Sequence, residues 1–306
     1  MPVMVRSNFQ DIFDNLLPAI DSVYIQSRDL DESKAPWKKI FAVRRSNRQF
    51  ENVTGFSGFP KFAPVGEGEN VPLMTVGQLY DKKFLHTKWA GAWQVSEEME
   101  DDDQYELVAS LARAFARSFR YTKEVDMANV LNNAFGTEKA ADGAAVLATH
   151  TLLNGNTISN KPATPTDFGV SAAQAAYDHF ATLTDDQGIR IHLRPKYIVA
   201  HPSQRWIIGE VMRSQYQPAT SNNAINVLFE ENLVEVYWPE LTDQDAWFML
   251  ADPGDVNGNG LRIYERQPFT TSTDFYVQNL TMISVGRGRW SRGVIDWRQI
   301  YGSEGA

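Results

Sequence analysis

EEMEDDDQYELVASLARAFARSFRYTKEVDMANVLNNAFG, residues 97–136, is the stretch that decides the fold. Leu107, Leu111, Phe115 and Phe119 recur at every fourth position, with Val108 and Ala112 beside them. That spacing is one apolar face of a helix and predicts one over residues 104–135. Its start is acidic, with Glu97, Glu98, Glu100, Asp101, Asp102 and Asp103, and Arg113, Arg117, Arg120 and Lys123 follow. Acids first and bases later complement the helix dipole. Asp103 and Glu106 have the spacing of a capping box, and Gly136 is a natural stop.

Upstream, Leu85, Thr87, Trp89, Gly91, Trp93 and Val95 share one face at period two, the mark of a strand. Before them, residues 55–77 are crowded with Gly and Pro. Together residues 45–95 read as a two-stranded excursion. About 20 residues per arm at about 3.3 Å each would reach roughly 60 Å. An isolated ribbon is marginal in water, so such an excursion needs a partner to lie on. Earlier still, Phe9, Ile12, Phe13, Leu16 and Leu17 form a short amphipathic helix pattern ending at Pro18, and residues 18–38 read as an extended arm.

Downstream, the polar loop 154–169 marks a boundary. Ser171 is the expected cap of a helix carrying Ala172, Ala173, Ala176, Phe180 and Leu183. A strand over 196–200, a helix over 202–213 and strands over 233–238 and 247–251 follow, and from Leu261 onward short strands alternate with turns. Helices and strands mixed in this order predict an α+β fold.

The composition excludes several classes. With no cysteine among 306 residues, disulfides, thiolate metal sites and cysteine nucleophiles are ruled out. Mean hydropathy is -0.37, no apolar run is long enough to span a membrane, and MPVMVRSNFQ has no signal-peptide core. A net charge of -9 argues against gripping nucleic acid over a broad surface, though not against an acidic wall around it.

Few residues suggest chemistry. Asp255, Asn257, Asn259 and Gly260 open like a calcium loop, but position twelve, where a bidentate Glu belongs, is Arg266. The competing reading is a turn between strands. The carboxylates from Glu97 to Asp103, with eight Trp for stacking, could suit a glycoside hydrolase, yet consecutive acids at a helix start usually form a solvated end. The five histidines include no H-x-x-x-H pair. Arg287, Arg289, Arg292 and Arg298 interleave with Trp290, Trp297 and Tyr301, which fits single-stranded nucleic acid or, better with this net charge, a pair of strands. Lys34, Lys38, Lys39, Arg44, Arg45 and Arg48 form a purely basic block within residues 33–50, opposite in sign to 97–103. They are either two independent solvated surfaces or two halves of one contact that sets register, within or between subunits.

Six stretches, taken in order, resemble a known family. They are KIFAVRRSNRQFENVTGFSGF (39–59), WQVSEEMEDDDQYELVASLARAFARSF (93–119), NGNTISN (154–160), LTDDQGIRIHLRPKYIVAHPSQRWIIGEVMRS (183–214), LVEVYWPELTDQDAWFMLADP (233–253) and DWRQIYGS (296–303). The chain is similar to tailed-phage major capsid proteins of the Hong Kong ninety-seven fold, close to Mu-like major head subunits. The resemblance implies an N-arm over 1–40, an extended hairpin loop over 41–95 that lies on a neighbour, and an axial domain over 170–258 that meets its copies around symmetry axes. It implies a peripheral domain from 96–169 and 259–306, with the 104–135 helix as its spine.

The same resemblance implies pentamers and hexamers closing an icosahedral shell around double-stranded DNA, without sequence-specific binding. Scaffold, portal and decoration proteins are the implied partners, the virion the location and the host bacterial cytoplasm the place of assembly. No enzyme activity, cofactor or membrane is implied. Because Met1 runs straight into arm-like sequence, the scaffold is expected to be a separate protein. Some members cross-link through a Lys in the extended loop; Lys61, Lys82, Lys83 and Lys88 lie in that region, with no matching Asn identified. The alternatives are an encapsulin-like compartment with the same fold and, in another class, a hydrolase disabled by Glu98→Gln.

Overall fold

The computed structural model describes residues 35–96, 98–99, 107–217, 225–256 and 258–306. The amphipathic segment over 9–17, most of the arm and the Asp103–Glu106 capping pair lie outside them.

Two four-stranded sheets share the core. The first has the order β1 (Ala42–Arg45), β10 (Leu261–Tyr276), β11 (Thr281–Val294), β4 (Thr87–Ser96). Its β1 runs parallel to β10, and the other pairs are antiparallel. The second has the order β12 (Ile300–Ser303), β9 (Trp247–Ala251), β7 (Pro195–Ala200), β8 (Val234–Tyr237). Two hairpins stand apart, β2 (Phe50–Phe56) with β3 (Gln78–Leu85) and β5 (Thr149–Thr151) with β6 (Thr157–Ser159). The helices are a single turn α1 (Trp37–Ile40), the long α2 (Leu107–Asn132), α3 (Val170–Thr182) and α4 (Arg205–Arg213).

The first half of α2 crosses the first sheet. Its buried line is Val108, Ala112 and Ala116, with Phe115 and Phe119 half-buried beside it. Leu111, expected in the buried row, faces out. The small alanines bring the helix close, and the sheet answers with glycine. A Cβ on Gly286 would sit 2.5 Å from the Phe115 ring, and one on Gly288 2.4 Å from the Phe119 ring. In the GRGRW segment, therefore, the glycines are where helix aromatics rest on the strand. Breakers that suggested turns are part of two long strands, which corrects the expectation of short strands after Leu261.

The second sheet is covered on both faces. Val199, Phe248 and Leu250 point toward Met127 and Leu131 of α2, while Ile198, Trp247 and Met249 point toward Phe180 of α3 and Ile208 of α4. Burial on both faces explains the uninterrupted apolar run WFMLA, in which every residue is buried. One further expectation is corrected. Helix α3 starts at Val170 after an extended Gly169, so Ser171 is not its cap. The C-terminal strand β12 joins β9 in the second sheet.

Polar side chains tie the layers. Arg292 on β11 donates to Asp126 Oδ1 at 3.0 Å and Glu138 Oε2 at 2.9 Å, and Trp290 Nε1 donates to Asp126 Oδ2 at 2.8 Å. Lys123 Nζ donates to Glu265 Oε1 at 2.5 Å and lies over the Trp37 ring. Asn160, fully buried, donates to the carbonyls of Val146 and Ile300 and accepts from Ala148 N–H. Thus Trp290, Arg292, Trp297 and Arg298 of the C-terminal segment tie the fold together: Arg298 pairs with Asp186 and Asp296, and His150 stacks on Trp297 at 4.2 Å.

Candidate assembly surfaces

The excursion is shorter than expected and changes partner midway. Only Phe50–Phe56 and Gln78–Leu85 pair with each other; after the single residue His86, Thr87–Ser96 pairs with β11. The hairpin root is a polar relay. Ser46 Oγ donates to Glu51 Oε1 at 2.6 Å, which leaves it to accept from His86 Nε2–H at 3.1 Å. His86 Nδ1 then accepts from Ser291 Oγ–H at 2.9 Å. Burial, then Arg289, push the His86 pKa down, which favours the neutral ring this relay requires. Halfway out, the hairpin touches the body again: Gln187 Nε2 donates to Ser57 Oγ and Lys82 Nζ donates to the carbonyl of Lys139.

Beyond Phe56 the tip, residues 57–77, has no regular strand or helix. Its apolar side chains meet water: Phe62 is 88% exposed, Leu73 98% and Val71 77%, with Phe56 and Phe59 also exposed. Several large apolar side chains left in water on one segment point to an interaction site. These residues were not singled out from sequence. The available signal was large apolar residues spaced among Gly and Pro, where no local structure could bury them.

Two more apolar patches lie elsewhere. Tyr276, Val277 and Leu280 cap the β10–β11 hairpin, with Leu280 at φ 48°. Trp206 on α4 is 82% exposed, and Ile225, Val227 and Phe229 are exposed nearby in sequence. Beside α4 is a cavity of about 450 Å³ lined by Met212, Phe229, Leu233 and Tyr237. Arg213 closes one side with a bidentate pair to Glu235 at 2.9 and 2.7 Å.

The basic block is a surface. Lys38, Lys39, Arg44, Arg45 and Arg48 are all exposed, along α1, the edge strand β1 and the turn after it. Its acidic counterpart is described only at Glu98, which is exposed; Glu97, Asp101, Asp102 and Asp103 lie outside the described residues. Lys61, Lys83 and Lys88 are exposed as well.

At the calcium candidate, part of the loop is held by a side chain of the protein itself. Asn259 Oδ1 accepts from Arg262 Nη2 at 2.8 Å, and the Gly258 carbonyl accepts from Arg262 Nε at 2.6 Å. A buried guanidinium therefore occupies two acceptors of this loop. Asp255 is exposed and Asn257 is outside the described residues. Among the described residues no three His, Cys, Asp or Glu side chains cluster as metal ligands, and no helix is long and apolar enough to cross a membrane.

An α+β body that leaves Phe56, Phe59, Phe62, Val71 and Leu73 exposed on one hairpin is built to associate. Fold and surface together define a structural subunit. Residues 81–303 match the family model described as phage capsid protein, so the chain belongs to the phage capsid protein family, and its role is that of a capsid protein. Solved structures share the fold. The capsid of the native GTA particle aligns with TM-score 0.57 and 16% identity over 87% of this chain and 88% of that one. A Microbacterium phage Oxtober96 chain aligns at 0.55 and 11% over 88% and 90%. The capsid of Myoviridae phage XM1 aligns at 0.51 and 14% over 86% and 90%. No curated protein matches the chain in sequence.

Proposed function

We propose that this chain is the major head subunit of a tailed phage. Pentamers and hexamers form through residues 170–258, and the arm and hairpin of each subunit tie it to its neighbours. The closed icosahedral shell holds double-stranded DNA without reading its sequence, inside a virion assembled in the host cytoplasm with scaffold and portal proteins. The observation that carries this reading is the apolar hairpin tip, which has no use in an isolated subunit. Each contact can be modest, because many neighbours held at once make the shell stable. Phe59→Ser, Phe62→Ser and Leu73→Ser together test it. The triple variant keeps the circular dichroism spectrum and melting behaviour of the native subunit, yet forms no shells. Normal shells from it would overturn the role given to the tip. DNA, and no cargo enzyme, in particles from infected cells separates this reading from an encapsulin-like compartment.

A further inference from the structure

The register of the first sheet decides what stands on the face turned away from α2. Pairing of β11 with β4 places Arg289 opposite Lys88 and Arg287 opposite Ala90, with Val285 opposite Ala92 next. On β10, Thr270 lies opposite Arg287 and Ser272 opposite Val285. The alternate residues Gly286, Gly288 and Trp290 face α2, so these point away from it. Three cations therefore share the far face, Lys88 and Arg287 exposed and Arg289 half-buried. Among the described residues none of the three forms an ion pair; Arg289 Nε donates to the His86 carbonyl at 3.4 Å. Asp274, on the same face, stands about 13 Å along β10 from Thr270.

Like charges directly opposite on neighbouring strands destabilise a sheet. Lys88 and Arg289, with Cα atoms about 4.5–5.5 Å apart, are such a pair. Arg287 follows Arg289 by about 6.7 Å on the same strand. Arg292 and Arg298 hold acids of other segments, whereas this cluster gives the fold nothing in return for its repulsion. An anion from outside the subunit would relieve it.

We infer that this face meets the phosphate backbone of double-stranded DNA in the filled shell, an inference that rests on the shell reading above and names the surface of the subunit that touches its content. Two features favour DNA over an acidic protein segment. Ala90, Ala92, Thr270 and Ser272 are small, so the face has little to hold a partner's side chain, while the cationic tips reach above them. Duplex DNA presents a negative charge about every 1.7 Å of its axis, so it meets the three cations in any register and any sequence. Three contacts on a subunit of net charge -9 are a weak local attachment and not a broad grip. Repeated over every subunit, such contacts hold the outermost DNA against the wall.

Because the chain has no cysteine, a thiol introduced at Ala90, exposed and opposite Arg287, is the only one it carries. Ala90→Cys shells are prepared empty and filled with DNA, and their rates of labelling by a small neutral maleimide are compared with that of the unassembled subunit. The expected result is fast labelling of subunits and empty shells and several-fold slower labelling of filled ones, since nearby phosphates shield the thiol and raise its pKa. Adding Lys88→Gln, Arg287→Gln and Arg289→Gln brings the filled and empty rates together, with the circular dichroism of the subunit unchanged. Equal rates in filled and empty Ala90→Cys shells would overturn the inference by placing the face away from DNA. Slow labelling already in empty shells would overturn it by showing that protein covers the face. Protection that survives the three Gln replacements would overturn the part given to these cations. Failure of the native chain to form shells would remove the shell reading as well.

Discussion

Gly288→Ala is a small change with a sign that physical magnitudes decide. Alanine in a strand would ordinarily gain about 0.4–1 kcal/mol by restricting the unfolded chain. Here its Cβ would lie 2.4 Å from the Phe119 ring and 3.3 Å from Trp290, so the ring must move. Phe119 cannot move freely, because it packs at 4.3 Å from Phe269 and edge-on at 5.5 Å from Trp290. Overpacking of this kind costs about 1–3 kcal/mol, which outweighs the gain. Taking a net loss near 1–2 kcal/mol, and about 2.1 cal/mol/K of unfolding entropy per residue, the melting temperature falls by about 2–3 °C. The assay is thermal unfolding of the unassembled subunit in four versions: native, Gly288→Ala, Phe119→Leu and the double variant. Leucine removes the ring that the new methyl meets, so the double variant should melt no lower than Phe119→Leu alone. Gly288→Ala melting at or above the native protein, or additive effects in the double variant, would refute the claim that the glycine exists to seat the helix aromatic.

Three further outcomes are expected. Asn160→Ala leaves buried groups at Val146, Ala148 and Ile300 without their partner, costing about 3 kcal/mol and lowering the melting temperature by roughly 5 °C, measured in the same assay. Burial lowers the His179 pKa to about 4, so this residue's contribution is full above about pH 6.5 and is lost as pH falls through 4; His179→Phe should flatten that part of the stability–pH curve, by up to about 3 kcal/mol, in denaturant titrations at stepped pH. Reversing Lys38, Lys39, Arg44 and Arg45 to Glu should leave circular dichroism unchanged, since all four are exposed, and abolish shells in electron micrographs; normal shells would remove the basic block from the assembly account.

What the sequence reveals and what it hides follow from how local each signal is. The α2 helix is legible because its period, of Ala112, Phe115, Ala116 and Phe119, repeats within a few turns. Which side is most buried is not, because that depends on Gly286 and Gly288, about 170 residues away; so Leu111 was assigned inward and Val108 proves deeper. The alternation from Leu85 to Val95 hides the change of partner at His86, since strand pairing with β11 lies far along the chain and leaves the period-two pattern unbroken. Family likeness carried the capsid assignment, and the phage capsid match supports it without singling out Mu-like head subunits. At the calcium candidate the structure adds a contact that no spacing rule contains: Arg262, three residues past Asn259, turns back to donate to its oxygen. The proposed assembly surface is half visible in the sequence. Charge made the basic block stand out, whereas Phe59, Phe62 and Leu73 look like ordinary core residues until the fold leaves them nothing to pack on.

The central claim is that this subunit works by closing a shell with its own copies. Electron microscopy of the purified chain, alone and co-expressed with its scaffold protein, tests it most directly. The account predicts closed particles tens of nanometres across, with five-fold and six-fold clusters of subunits and each hairpin lying on a neighbour. A chain that remains a monomer or small oligomer under both conditions would contradict it.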